Sequence, residues 1–480
     1  MTNLKSTLKP LSDSGGGFCN SWKMQLKYEK VTLSDIIIFM KKNKRITKKK
    51  TTYMILCFEI LLIITLLVGI VLYIYSQNKS KVQTTGKIVG ESIEKTESTQ
   101  PEETGNKPLI QGEKIENHPA DIGNEMIQGE EQEKEEQEKE EAGLPENTAE
   151  TYAQGVKYFE PQNEGEVVLA FAGDILFDDE YSIMASMKQR SNGIYDTISP
   201  DLLNEMTSAD IFMLNNEFTY TLRGEPTFEK QFTFRADPET AEYLLDMGVD
   251  IVSLANNHAY DYGEISLLDS IDTLAAMQMP YVGAGRNLEE ASSPFYFETN
   301  GMKIGILSST QIERLDNPDT KGATENSAGV FRSWDGTLLY EKVKEVAEQC
   351  DFLVVYVHWG TENTTELDWA QKEQARKLVE SGADLVIGNH AHCLQGIEVI
   401  DGVPVFYSLG NFLFNSKTID TCLVKATLKE GKLDSVQFVP ALQSGCKTTL
   451  LTGSEKARVI AYMQTLSGGV RIDEEGFLQY

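Results

Sequence analysis

Residues 385–392, Leu385-Val386-Ile387-Gly388-Asn389-His390-Ala391-His392, form a short apolar run that stops at a glycine and then presents an amide and two imidazoles. Three consecutive aliphatic residues suit a strand buried on both faces, and the polar ending suits the loop that leaves it. A His-x-His on such a loop can aim two ring nitrogens at one metal ion, although alone it is a weak motif.

The same order recurs along the chain. Residues 167–172 (VVLAFA) run into Gly173-Asp174, and 211–214 (IFML) into Asn215-Asn216-Glu217. Residues 251–255 (IVSLA) lead to Asn256-Asn257-His258, and 352–357 (FLVVYV) to His358-Trp359-Gly360-Thr361-Glu362. Residues 405–407 (VFY) precede Ser408-Leu409-Gly410-Asn411-Phe412, and 304–307 (IGIL) read as one more buried strand.

Between these runs lie segments of helical period. Asp237-Pro238, residues 240–247 and Gly248 supply a capping residue, a proline at the first helical position and a glycine stop. Residues 264–279, 337–349 and 367–381 carry apolar residues at helical spacing. The alternation predicts an α/β domain over residues 165–444, its helices covering the sheet. Residues 445–480 are expected to form a tail with a helix packed on the domain surface.

Before the domain the composition changes twice. Residues 54–75 (MILCFEILLIITLLVGIVLYIY) are apolar except for Glu59, and at about 1.5 Å per residue they can cross the roughly 30 Å of a bilayer interior. They read as one transmembrane helix, since a secretory signal would have a shorter apolar core and a cleavage site. Seven Lys or Arg between Lys41 and Lys50 put residues 1–50 in the cytoplasm and everything after Tyr75 outside the cell. Glu59 marks either a helix partner or a carboxyl reaching back to the interface. Residues 76–164 are expected to be a disordered acidic linker: positions 81–150 hold 19 acidic residues against 7 lysines, and EEQEKEEQEKEE has nothing apolar to bury.

The net charge of -29 argues against a nucleic-acid partner, which needs a basic face. The four cysteines beyond the apolar stretch, Cys350, Cys393, Cys422 and Cys446, show no C-x-x-C spacing. They suggest no zinc knuckle and admit one disulfide without requiring it.

In α/β sheets, loops at the carboxyl ends of the strands share one edge, so these scattered residues can converge. Imidazole, carboxylate and amide oxygen together make a ligand set for Mn, Fe, Zn or Mg, and two such ions can clamp a phosphoryl group and activate water. Each residue has a plainer reading in isolation: His358 as a core histidine, Asp174 or Glu217 as a helix cap, Asn256-Asn257 as a turn. Six coincidences at six strand ends favour one metal-binding site. Trp359 reads as packing beside it. Of Tyr260, Asp261 and Arg235, Arg235 is the chosen contact for an anionic group.

As a set the motifs resemble the CapA-type poly-gamma-glutamate capsule synthesis family, whose fold is similar to that of the calcineurin-like metallophosphoesterases. The residues carrying the resemblance are Gly173-Asp174, Asn216-Glu217, Asn256-Asn257-His258 with Asp261 and Gly263, His358-Trp359-Gly360 with Glu362, Gly388-x-His390-x-His392 with Gln395-Gly396-Ile397-Glu398, and Tyr407-Ser408-Leu409-Gly410-Asn411-Phe412. The likeness implies a layered β-sheet domain with flanking helices. It implies Asp174, Glu217, Asn257, His358, His390 and His392 as ligands of one or two divalent metal ions, Glu217 bridging, with His258 and Asn257 acting on substrate. Leu176 stands where the phosphoesterases have the histidine of Asp-x-His, and Glu362 is the residue that would replace it.

The resemblance further implies a role in making or exporting poly-gamma-glutamate at the cell surface beside a membrane synthetase complex. Two functions follow: a metal-dependent hydrolase acting on a phosphoester or other bond of an envelope substrate, or a non-catalytic assembly factor that binds an anionic polymer or the synthetase.

Overall fold

The computed structural model describes residues 144–299, 301–312 and 321–480. Residues 1–50, expected to be cytoplasmic, the apolar stretch 54–75 and the expected linker up to residue 143 lie outside them. Among the described residues no helix is long and apolar enough to cross a membrane.

Apart from three two-residue strand pairs, the strands among the described residues are β1 (Val156–Tyr158), β2 (Glu166–Ile175), β3 (Ile211–Asn216), β4 (Ile251–Ser253), β5 (Tyr281–Val282), β6 (Phe295–Thr299), β7 (Met302–Thr310), β8 (Phe352–His358), β9 (Leu385–Asn389), β10 (Ile397–Ile400), β11 (Val403–Phe406), β12 (Asn411–Leu413), β13 (Ile419–Lys429), β14 (Lys432–Gln443) and β15 (Thr448–Leu450). They make two sheets. One is seven-stranded, in the order β1-β6-β7-β8-β9-β11-β10; the other is eight-stranded, in the order β15-β14-β13-β2-β3-β4-β5, with β12 also beside β2. The centre of each is parallel: β7, β8, β9 and β11 in the first, β2, β3, β4 and β5 in the second.

Side chains alternate across a strand, and here both faces are covered. In β2, Val167, Leu169 and Phe171 enter the layer between the sheets, while Ala170 and Ala172 face the helices. In β8, Val354 and Tyr356 point inward and Leu353, Val355 and Val357 outward. Burial on both faces is why the sequence shows unbroken apolar runs rather than alternation. Helices α1 (Pro200–Thr207) and α2 (Glu264–Ala276) cover the second sheet through Leu202, Met206, Leu267, Ile271 and Leu274. Helices α3 (Thr337–Ala347) and α4 (Trp369–Glu380) cover the first through Leu339, Val343, Val346, Ala375 and Leu378.

An aspartate introduces each of four parallel strands and ties it to its neighbour. Asp210, Asp250, Asp351 and Asp384 each donate their amide to one carbonyl of the adjacent strand, and their carboxylates accept an amide there: Val168, Phe212, Lys303 and Leu353 in turn. The strand starts are thereby aligned, and so are the ends.

Several expectations need correction. Residues 149–158 do not belong to a disordered linker: Ala149–Ala153 is a helix, β1 pairs with β6 in register Val156↔Tyr296, and Lys157 is paired with Asp250. The helix over 240–247 is a 3₁₀ turn, Pro238–Ala241, followed by one α turn, Glu242–Asp246; the Asp237 cap and the positive φ of Gly248 are present. The hairpin β13–β14 was not expected. Cys422, Val424, Ala426 and Leu428 alternate inward, and the turn at Glu430-Gly431 has positive φ at both positions. Helix α5 (Gly453–Leu466) forms as expected, but Val459, Ile460 and Met463 enter the inter-sheet core. Cys350, Cys393, Cys422 and Cys446 are all free thiols.

Candidate metal centre

The carboxyl ends of β2, β3 and β4 from one sheet meet those of β8 and β9 from the other. Asp174 ends β2; Glu217 follows β3; Asn256, Asn257 and His258 follow β4; His358 ends β8; His390 and His392 follow β9. Each sheet supplies half of a site that neither could hold alone.

Two glycines permit the approach. A Cβ at Gly173 would lie 1.8 Å from the Gly410 carbonyl, and closing that gap pairs Asp174 with Asn411. A Cβ at Gly388 would meet the Tyr407 carbonyl and the Trp359 indole, which donates to that same carbonyl. Trp359 is fully buried against Tyr407, so its part is packing. His390 and His392 both sit at positive φ, 89° and 55°. For non-glycine residues this costs on the order of 1–3 kcal/mol each, a strain that turns both rings toward the carboxylates.

Among the described residues two groups of side chains could each hold a metal ion, Glu217 with His358 and His390, and Asp174 with Glu217 and His392; within a group the ligand atoms lie within 4.8 Å of one another. Glu217 belongs to both. Its Oε1 is 3.5 Å from His358 Nε2 and 3.9 Å from His392 Nε2, and Asp174 Oδ2 is 3.3 Å from His392 Nδ1. Asn257 Oδ1 lies 2.8 Å from His358 Nε2, and His390 Nδ1 lies 3.0 Å from that same nitrogen.

The donor set fits a divalent cation. Asp174 and Glu217 are fully buried, and Asp174 Oδ2 and Glu217 Oε1 accept no hydrogen bond. Burying unpaired carboxylate oxygens side by side is expensive unless a positive charge answers them. Burial, then the charge of Asp174, pushes the Glu217 carboxyl well above its usual range. Burial first, and the neighbouring imidazoles second, hold His358 and His390 well below theirs, leaving them neutral as metal ligands require. For His392 burial also pulls down, but the Asp174 contact outweighs it, with Glu362 and Asn411 adding, and the net shift is upward.

A set of amides that stood among the strand-end motifs without an assigned role orients these ligands. Asn215 Nδ2 donates to Asp174 Oδ1 at 2.8 Å and lies 3.3 Å from His358 Nδ1. Asn256 donates to Asn215 Oδ1 and accepts from the His258 amide, and Asn411 Oδ1 is 2.8 Å from His392 Nδ1. For Asn215 and Asn256 the signal was present in the doubled asparagines at strand ends: Asn215 of the first pair and both amides of the second reach the site.

His258 is set apart. Its Nδ1 lies 2.7 Å from Asp261 Oδ2, and Asp261 is buried with Lys230, whose ammonium also reaches the Asn257 carbonyl. The carboxylate makes Nδ1 the donor and leaves Nε2 for other work. Burial lowers the pKa of His258 although Asp261 works against it.

Arg235 lies at the edge of this region; its guanidinium rests 4.5 Å over the Tyr262 ring and its amide donates to Asp178. Glu362 is exposed and belongs to neither ligand group. Leu176 is buried in the apolar layer behind the site, under the helices.

Residues 168–416 match the family described as "Bacterial capsule synthesis protein PGA_cap". The chain is 30% identical over 277 residues to the "PGA biosynthesis protein CapA" of Bacillus subtilis, covering 56% of this chain and 70% of the relative. It is 27% identical over 324 residues to the "Capsule biosynthesis protein CapA" of Bacillus anthracis, covering 65% and 77%. A "Probable polyglutamine synthesis accessory protein" of Mycobacterium tuberculosis is 28% identical over 254 residues, covering 49% and 67%.

Proposed function

The chain belongs to the bacterial capsule synthesis protein family PGA_cap, and from that membership we propose that it serves the making or export of poly-gamma-glutamate or a related envelope polymer through a metal-dependent, phosphoesterase-like site. It does so as a single-pass membrane protein, residues 1–50 cytoplasmic and the described domain outside the cell, beside a polyglutamate-synthetase-like complex. Support for that placement is the apolar stretch 54–75 and its lysine-rich flank. Support for the process is the names borne by the similar proteins.

The observation that carries the chemistry is the sharing of buried Glu217 between two ligand groups. Asp174, Glu217, His358, His390 and His392 would hold the metal, with Asn257 near His358. A bound divalent ion supplies a Lewis acid that polarises a phosphoryl oxygen and acidifies water. His258, oriented by Asp261 through Nδ1, would take up a proton at Nε2 and pass it to the leaving oxygen, the Asp261 carboxylate answering the charge of the transient imidazolium. Asn257 fixes the position of the group being attacked, and the buried surroundings limit water to what the reaction uses. Arg235 meets an anionic part of the substrate.

One feature favours the alternative of an assembly factor that uses the site for recognition. Leu176 packs into the core where a further ligand was expected, and exposed Glu362 does not stand in for it.

Metal content and hydrolysis separate the two readings. The full-length protein is assayed for bound metal by elemental analysis and for cleavage of p-nitrophenyl phosphate and its bis ester with added Mn²⁺, beside His390→Ala. About one or two equivalents of metal and activity lost in the variant support the enzyme. Metal without turnover favours recognition, and neither metal nor turnover ends the metal-site reading. Protease added to intact cells should remove the C-terminal domain and spare an N-terminal tag; a protected C-terminus would refute the membrane orientation.

A further inference from the structure

Two of the site's imidazoles lie against phenylalanine. The Phe234 ring is 4.2 Å from His258 and the Phe414 ring 5.0 Å from His392, centroid to centroid, and the two phenylalanines meet edge to face at 5.7 Å. Phe234 in turn carries Phe232, stacked at 25° with centroids 6.4 Å apart, and Phe232 is 51% exposed. An aromatic column thus runs from water to the imidazoles.

The column is anchored to the carboxylate that orients His258. Asp261 Oδ2 accepts the Phe234 amide at 2.6 Å, the Asp261 carbonyl accepts the Thr227 amide at 2.8 Å, and Lys230 is ion-paired with Asp261 Oδ1. The rings and the candidate acid are therefore held in one frame. Of the cations beside it, Lys230 is engaged with Asp261 and Asn257, and Arg235 rests over the Tyr262 ring at the edge of the site. The stacking surface this wall offers a ligand is the exposed ring of Phe232, since Phe234 is buried between His258 and Phe232, and a matched ring pair is worth up to about tenfold in affinity beyond area burial.

We propose that the site takes an anion bearing an aromatic or other apolar group, with the anion toward His258 and His392 and the apolar group on Phe232, which Phe234 backs from below. The inference rests on the phosphoester reading above and adds the class of leaving group or substituent.

The test uses full-length protein loaded with Mn²⁺ and isothermal titration with phenylphosphonate and methylphosphonate, whose P–C bonds resist hydrolysis. Wild type should bind the phenyl compound about 10-fold tighter, and Phe232→Ala should reduce that ratio to about 3-fold or less, in line with the loss of one stacking partner. Phe234→Leu, which keeps apolar volume but removes the ring, should reduce it as well. Equal affinity for the two ligands in Mn²⁺-loaded wild type overturns the proposal, as does a preference that survives both substitutions. If Mn²⁺ itself fails to bind in the preceding titration, the metal-site reading falls first and this one with it.

Discussion

Glu217 Oε1 lies 3.5 Å from His358 Nε2 with both side chains sealed from solvent, yet the oxygen accepts no hydrogen bond. A buried pair left in that state is built for a third participant. Because Glu217 also belongs to the group with Asp174 and His392, it is the side chain whose loss damages most.

Glu217→Gln should abolish tight Mn²⁺ binding, whereas His392→Ala should spare the group formed by Glu217, His358 and His390. In calorimetric titrations the first variant is expected to show under about a tenth of the wild-type stoichiometry and the second about half, if two ions bind. The metal-free Glu217→Gln protein should also melt higher than metal-free wild type, because it no longer buries a carboxylate beside Asp174; the gain is on the order of 1–3 kcal/mol. A lower melting temperature would argue against a strained, cation-ready site.

Stripping the metal should destabilise the wild-type domain. A site saturated at about 100 times its Kd adds roughly 2.7 kcal/mol by mass action. Chelator should therefore lower Tm by several degrees, and added Mn²⁺ should restore it. No change in Tm on chelation and reloading would count against the two ligand groups.

His258→Ala is expected to leave Mn²⁺ bound and to lower phosphoester cleavage by about 10²–10⁴-fold, the usual worth of a positioned acid. The ring touches Asp261 and Phe234 and lies in neither ligand group, so loss of metal in this variant would move His258 from acid to ligand.

Leu176→His should not add a ligand. The side chain is surrounded by the helix-facing apolar layer, so an imidazole there is buried without a partner, at a cost of about 2–4 kcal/mol. The expected outcome is unchanged metal stoichiometry with a reduced urea midpoint. A gain of metal would restore the phosphoesterase pattern that the core position now denies.

Asp384→Ala tests the strand-start device. The Asp384 carboxylate accepts the Leu353 amide at 2.8 Å, and removing it leaves a partly buried donor unmet. Urea unfolding should show a loss of about 1–3 kcal/mol with the metal site intact.

The strands were legible because a strand covered on both faces must be apolar throughout. Residues 167–172, 211–214, 352–357 and 385–387 all lie within strands. Residues 264–276 and 337–347 were legible as helices by their one-sided apolar spacing. The β13–β14 hairpin was not, because its alternating inward residues include Cys422 and Ala426, which carry little apolar contrast. Nor was the place of residues 149–158, whose polar composition hides three residues of backbone pairing with β6.

Sequence by itself determined that His258, His358, His390, His392, Asp174 and Glu217 end or follow strands, since strand ends are marked by local polarity. Only the tertiary structure decided how they divide. Facing two sheets across a shared core put Glu217 within both ligand groups, sent Leu176 into the layer behind, left Glu362 exposed and gave His258 to Asp261. Those outcomes depend on which face a side chain takes and what stands opposite it, and both are set by contacts between residues far apart in the chain.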